Sequence, residues 1–141
     1  MKKVLFVCIH NSARSQMAEA YLNQLGNGIF VAESAGLEAG SLNPFAVEVM
    51  AEAGIDISKN SCDSVFDFYK EGRSYFAVVK VCDQINGERC PIFPNTLVSL
   101  NWNLEDPSGL DGTYEEKLAR TREIRDQIKA KVEQFIVDYQ Q

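Results

Sequence analysis

The apolar run Val4-Leu5-Phe6-Val7 stops at Cys8, and a helical pattern takes over at Ser15 after the short loop Ile9-His10-Asn11-Ser12-Ala13-Arg14. A strand that hands its last residue to a tight loop, which then opens a helix, is the unit from which parallel α/β sheets are built. Ligands of such sheets bind at the carboxyl ends of the strands, and here the strand delivers a cysteine to that end. The backbone N–H groups of residues 9–14, with the helix dipole behind them, make a cradle for an anion. The same field favours the thiolate form of a cysteine. Arg14 can fold back and hold two oxygens of a tetrahedral oxyanion with its planar fork, and Ser15 can donate a hydroxyl hydrogen bond to the Cys8 sulfur. Nucleophile, cradle and clamp together describe attack by sulfur on a bound tetrahedral oxyanion. The competing reading is a buried cysteine at a strand end with an unrelated arginine nearby; the strand–loop–helix context favours the chemistry.

The rest of the chain continues the alternation. Lys2–Cys8 reads as a buried parallel strand, and Met17, Ala18, Tyr21, Leu22 and Leu25 recur at helical spacing up to the stop at Gly26-Asn27-Gly28. Ile29–Ser34 reads as a second strand and Ala35–Ser41 as turns. Asn43 is a good N-cap with Pro44 behind it, opening a helix that ends at Gly54. Val65–Lys70 suits a short helix, Tyr75–Val81 a third strand that ends at Cys82, and Leu97–Trp102 a fourth. Between the last two lies a long loop, Asp83–Asn95, and after them a loop holding Asp106-Pro107. Thr113-x-x-Glu116 is a capping box for a long helix with the seam Leu118, Ile124, Ile128, Val132, Phe135, Ile136. The expectation is one α/β domain over residues 1–141, a doubly wound sheet of about four parallel strands with helices on both faces. Cys8, Cys82 and Asp106 would then stand at one edge of the sheet.

A net charge of −6 gives no basic field to attract nucleic acid or an anionic membrane, so an anion must be held by a local device such as the loop. The first apolar run is too short for a signal peptide or a membrane span, and a cytoplasmic location is the default. The four cysteines (Cys8, Cys62, Cys82, Cys90) include no C-x-x-C pair and the only histidine is His10, so zinc spacing is absent. A reversible thiol role remains open, and Cys62 reads as a structural or incidental thiol. Trp102, Phe66, Phe68, Tyr69 and Tyr75 read as packing residues.

Cys8-x5-Arg14-Ser15 with a late Asp106-Pro107 resembles the low-molecular-weight protein tyrosine phosphatase superfamily. Asn11-Ser12-x-Arg14-Ser15-Gln16-Met17-Ala18-Glu19-Ala20, Ser34-Ala35-Gly36, Gly54-Ile55-Asp56-Ile57-Ser58 and Cys82-x7-Cys90-Pro91 are similar, more narrowly, to thioredoxin-coupled arsenate reductases. The resemblance implies the phosphatase-like fold, an oxyanion site at residues 9–14 and three working thiols. Cys8 would attack arsenic, Asp106 would protonate the departing oxygen, and Cys82 would attack Cys8 to expel arsenite. Cys90 would then attack Cys82, leaving a Cys82–Cys90 disulfide for thioredoxin. No cofactor is required on this scheme, although some members bind potassium, and Asn11, Glu19, Ser34 and Asp63 match those ligands in type and spacing. For Asn11 and Ser34 the alternative is that they brace the loop. A monomer is the expectation.

The chain departs from that pattern in three places. Ala13 stands where relatives carry a cysteine, and His10 where a glycine is common. Ser108-Gly109 follow Asp106-Pro107 where phosphatases carry aromatics that stack a phenol ring. Two other functions stay open at this level. One is a phosphatase working through phospho-Cys8, and the other a non-catalytic redox or anion-sensing module. Glutaredoxin or a small thiol could replace thioredoxin.

Overall fold

A computed structural model describes residues 1–38, 40–81 and 90–141. Strand β1 (Lys2–Cys8) is buried between two cores. Val4, Phe6 and Cys8 point into one, and Leu5 and Val7 into the other, as the two-residue period of a strand requires. Its continuous apolar run is the signature of a strand covered on both faces. β2 (Phe30–Gly36) and β3 (Ala77–Lys80) pair with it on either side, and β4 (Val98–Asn101) pairs with β3. All pairings are parallel, in the order β2-β1-β3-β4. Every carboxyl end therefore lies on the same edge.

The larger core is closed by α1 (Arg14–Leu25), α2 (Pro44–Glu52) and α4 (Tyr114–Tyr139), and the smaller by α3 (Val65–Lys70) with Cys90 and Phe93. Helices thus lie on both faces of a four-stranded parallel sheet, as the alternation implies. Asn43 caps α2, accepting from the Phe45 and Ala46 amides, and the Thr113 hydroxyl caps α4 by accepting from the Glu116 amide. The α4 seam runs through Leu118, Ile124, Ile128, Val132 and Phe135, with Thr121 filling the gap that the apolar pattern leaves. Its buried hydroxyl donates back to Lys117 O at 2.7 Å and is thereby satisfied.

The second strand runs two residues further than the sequence suggests. Ala35 and Gly36 pair with Val7 and Cys8, and Gly36 also bridges to Ser64 on its other side. These tertiary partners override the turn-like composition. β3 and β4 are shorter than Tyr75–Val81 and Leu97–Trp102, because the paired ladder covers only the residues between Ala77 and Lys80 and their partners. Leu25 ends α1 exposed rather than in the core. Among the described residues no helix is long and apolar enough to cross a membrane.

Candidate active site

The loop after β1 folds back over its own cysteine. Asn11 adopts a left-handed backbone (φ 55°), a conformation that asparagine tolerates better than most residues, and this turns its N–H onto the Cys8 sulfur at 3.1 Å. Ser15, in the first turn of α1, brings its hydroxyl to 2.9 Å from the same sulfur. That hydroxyl also lies 2.8 Å from Asn11 Oδ1. With a thiol at Cys8 the proton order is sulfur to Ser15 to Asn11. With a thiolate, the Ser15 proton turns to sulfur, so one hydroxyl serves both states.

Further contacts of Gln16, Asn11 and Gly36 fix the loop. Gln16 is buried and donates to Asn11 O (3.1 Å) and Ser61 O (2.8 Å), while its own oxygen accepts from Asn60 Nδ2 (3.1 Å). Asn11 Nδ2 reaches Ser34 O at 3.4 Å. Gly36 lies directly beneath: a Cβ there would stand 2.7 Å from Asn11 N and 2.8 Å from Ile9 O and His10 C, so the loop can descend only onto glycine. Neither Gln16 nor Gly36 stood out as a site residue in the sequence, although both lie inside the quoted motifs.

The N-terminus of α1 is the one left open. Among the described residues α2, α3, α4 and the 3₁₀ turn Pro107–Gly109 each begin on a side-chain cap, from Asn43, Ser64, Thr113 and Asp106, whereas Ala13 offers none to α1. The first intrahelical bond is Met17 N–H to Ala13 O. The amides ahead of it have no acceptor within the helix, so their donors and the dipole are available to an anion. Ala13 therefore contributes by lacking a capping group.

Arg14 is almost fully buried, its side chain 5% exposed, and the fold holds its guanidinium from behind. One terminal nitrogen donates to Leu104 O at 2.9 Å and the other stands 3.5 Å from the Asp106 carboxylate, which is 38% exposed. Asp106 in turn accepts from Ser108 N–H at 2.9 Å. The loop and the Asp106-Pro107 turn thus meet at the carboxyl edge of the sheet through Arg14. Arg14→Lys keeps the charge but loses the fork and leaves Leu104 O without its partner. The affinity for inorganic phosphate, measured by isothermal titration calorimetry, is expected to fall about 10- to 100-fold.

The remaining residues singled out in the sequence are placed as follows. His10 is exposed with its imidazole 3.9 Å from Glu38, while its carbonyl accepts from Gly40 N–H at 3.0 Å. Ser12 O accepts from Asn43 N–H at 2.9 Å. Ile9 O accepts from Glu38 N–H at 2.8 Å. Cys62 is half-buried, and burial, then Asp63, then Cys8 push its thiol up. Cys90 is buried on the opposite face of the sheet from Cys8, in the smaller core with Val78 and Phe93, and burial pushes its thiol up too. Cys82 lies outside the described residues. Val81 N–H donates to Val7 O at 2.9 Å, so the chain enters that segment beside the end of β1. Trp102 packs on Phe6, and Tyr69 and Tyr75 pack on Phe93. Phe66 is exposed.

Glu19, Ser34, Asn11 and Asp63 gather on the flank of the loop. Ser34 Oγ donates to Glu19 at 3.3 Å, and burial, reinforced by Glu33 and Asp63, raises the Glu19 carboxyl to about 7. Among the described residues no three His, Cys, Asp or Glu side chains assemble to hold a metal, which leaves the mixed oxygen set as the cation-friendly feature. A buried carboxylate with a hydroxyl oxygen beside it is the hard-oxygen environment that suits a monovalent cation.

A family model described as low molecular weight phosphotyrosine protein phosphatase matches residues 3–141. An arsenate reductase of Bacillus subtilis (strain 168) is 37% identical over 134 residues, covering 95% of this chain and 94% of its own. A glutaredoxin arsenate reductase of Synechocystis sp. (strain ATCC 27184 / PCC 6803 / Kazusa) is 38% identical over 136 residues, covering 96% and 97%. A solved structure described as an arsenate reductase in the phosphate binding state superposes with a TM-score of 0.82 at 37% identity, covering 98% of each chain.

Proposed function

The chain belongs to the low molecular weight phosphotyrosine protein phosphatase family, and we propose that it uses this fold to reduce arsenate to arsenite. The observation that carries the reading is the loop itself. A sulfur held by Asn11 N–H and Ser15 lies under an uncapped helix N-terminus with a buried arginine at its rim. Relatives named arsenate reductases, matching over nearly the whole chain, supply the oxyanion.

The loop amides and Arg14 bind the oxyanion, and Cys8 thiolate forms a sulfur–arsenic bond while one oxygen leaves as water with a proton from Asp106. Arsenic is still pentavalent. Cys82 thiolate then attacks the Cys8 sulfur. The sulfur–sulfur bond forms, the sulfur–arsenic pair passes to arsenic, and arsenite departs with two electrons gained. Cys90 attacks Cys82, releasing Cys8 as thiolate, and the Cys82–Cys90 disulfide takes two electrons from the dithiol of thioredoxin. No metal or organic cofactor enters these steps. Glu19, Ser34, Asn11 and Asp63 would hold a potassium ion beside the loop, where its charge offsets that of Glu19.

The deciding experiment is arsenate-dependent NADPH oxidation by the wild-type protein, run once with thioredoxin and its reductase and once with glutaredoxin, glutathione and glutathione reductase. Turnover with thioredoxin supports the scheme; turnover with glutaredoxin alone reassigns the reductant. If neither system turns over while the protein cleaves a phosphomonoester, the reductase reading falls to the phosphatase one. Potassium is checked separately by thermal unfolding in potassium against choline chloride. A folded carboxyl raised to about 7 stabilises below its unfolded value and loses that contribution as the pH rises through 7. Potassium should therefore raise the midpoint at pH 8, have little effect at pH 5, and have none in Glu19→Gln.

A further inference from the structure

Asn43 reads in the sequence as the cap of α2, yet it is buried and all its polar groups are engaged. Its N–H donates to Ser12 O at 2.9 Å and its carbonyl accepts from Val47 N–H at 3.1 Å. Oδ1 takes the Phe45 and Ala46 amides at 2.8 and 3.3 Å, and Nδ2 donates to Ser108 Oγ at 2.9 Å. The first of these contacts lands on the anion loop and the last on the 3₁₀ turn that Asp106 opens. Ser108 N–H holds Asp106 Oδ1 at 2.9 Å, which leaves Oδ2 3.5 Å from Arg14, and Arg14 belongs to the loop. The contacts close a ring from Ser12 through Asn43, Ser108 and Asp106 to Arg14.

Capping does not require the amide arm. Hydroxyls of Ser64 and Thr113 cap α3 and α4, and serine is as good a cap as asparagine. The arm has a different effect: it ties a three-residue turn, whose other hydrogen bonds are largely internal, to the helix that also anchors the loop. We propose that Asn43 is the positioning residue for the general acid, holding the Asp106 carboxyl at its distance from the bound oxyanion through Ser108. The inference rests on the arsenate-reduction reading, in which Asp106 protonates the departing oxygen. A general acid contributes about 10²- to 10⁴-fold, and a displacement of about 1 Å can forfeit about 10²-fold, so the tie is worth a measurable part of the rate.

The test uses Asn43→Ser, which keeps the cap but is too short to reach Ser108, Ser108→Ala, and the double variant. Arsenite formed in a single turnover by the reduced protein is followed by rapid quench, with inorganic phosphate as competitive inhibitor. Each single variant is expected to slow the step at least about tenfold, and the double variant to be within about twofold of the slower single, because both remove one link. The phosphate inhibition constant should stay within about twofold of wild type, since the cradle is intact. Three results overturn the inference in distinguishable ways. A wild type that makes no arsenite removes the functional reading and this role with it. An active wild type with an equally fast Asn43→Ser removes the positioning role alone. Parallel loss of rate and phosphate affinity shows that Asn43 shapes the cradle rather than the acid.

Discussion

Cys8→Ser is expected to lower arsenate reduction by about 10⁴-fold or more while leaving phosphate bound and the fold unchanged. The size of the loss follows from two separate deficits. A serine hydroxyl is not ionised near neutral pH, which makes it a far weaker nucleophile than a thiolate. Its oxygen also cannot become half of a disulfide, so even a covalent arsenic ester would have no route for the two electrons. What survives is equally definite. The Asn11 N–H and the Ser15 hydroxyl, now 3.1 and 2.9 Å from sulfur, can hydrogen-bond an oxygen in its place. Gly36 still admits the loop, and Arg14 still rests on Leu104 O. Calorimetric titration with phosphate should therefore match wild type within about threefold, while rapid-quench arsenite formation drops to background. Residual arsenite formation within about 100-fold of wild type would mean that another thiol can attack arsenic.

The part of this site carried by one contiguous stretch was legible in the sequence. Cys8, Asn11, Arg14 and Ser15 lie within eight residues, and the strand–loop–helix pattern fixes where such a stretch must go. Asp106 could be placed only at the right edge of the sheet, because strand order sets the edge but not the distance. Contacts with no side-chain signature stayed hidden. The acceptor that seats Arg14 is the backbone carbonyl of Leu104, and any residue could supply it. The Asn43–Ser108 bond spans 65 residues and joins two positions that each already have a local explanation, as cap and as turn. Thr121 breaks the apolar seam of α4 yet is buried, since its hydroxyl is satisfied one turn back. The depth of Cys90 was also beyond reach: within a loop no periodicity says which face of the sheet a side chain joins.

That depth gives the thiol relay its clearest prediction. Cys90→Ser is expected to form about one equivalent of arsenite and then stop, whereas Cys82→Ser forms none. In the proposed relay two electrons leave the protein when Cys82 attacks Cys8, so the first arsenite needs only those two sulfurs. In that scheme Cys90 acts afterwards, to free Cys8. The Cys90 sulfur is buried in the core opposite Cys8, beside Val78 and Phe93, with burial pushing the thiol up. Phe93 is itself clamped edge-on by Tyr69 and Tyr75, with ring centroids 5.8 and 5.2 Å away. Cys90 becomes accessible only by leaving this packing, so in the proposed relay the second disulfide requires a conformational step as well as a chemical one. Alkylation of the reduced protein, followed peptide by peptide by mass spectrometry, should therefore modify Cys90 at least about tenfold more slowly in the folded chain than in the urea-unfolded one. Continuous turnover by Cys90→Ser would overturn the relay's last link, because an external thiol would then be resolving the Cys8–Cys82 disulfide directly, as expected of a glutathione–glutaredoxin couple. A slow Cys90 together with a single-turnover Cys90→Ser would support release of Cys90 from the smaller core as a step of the relay.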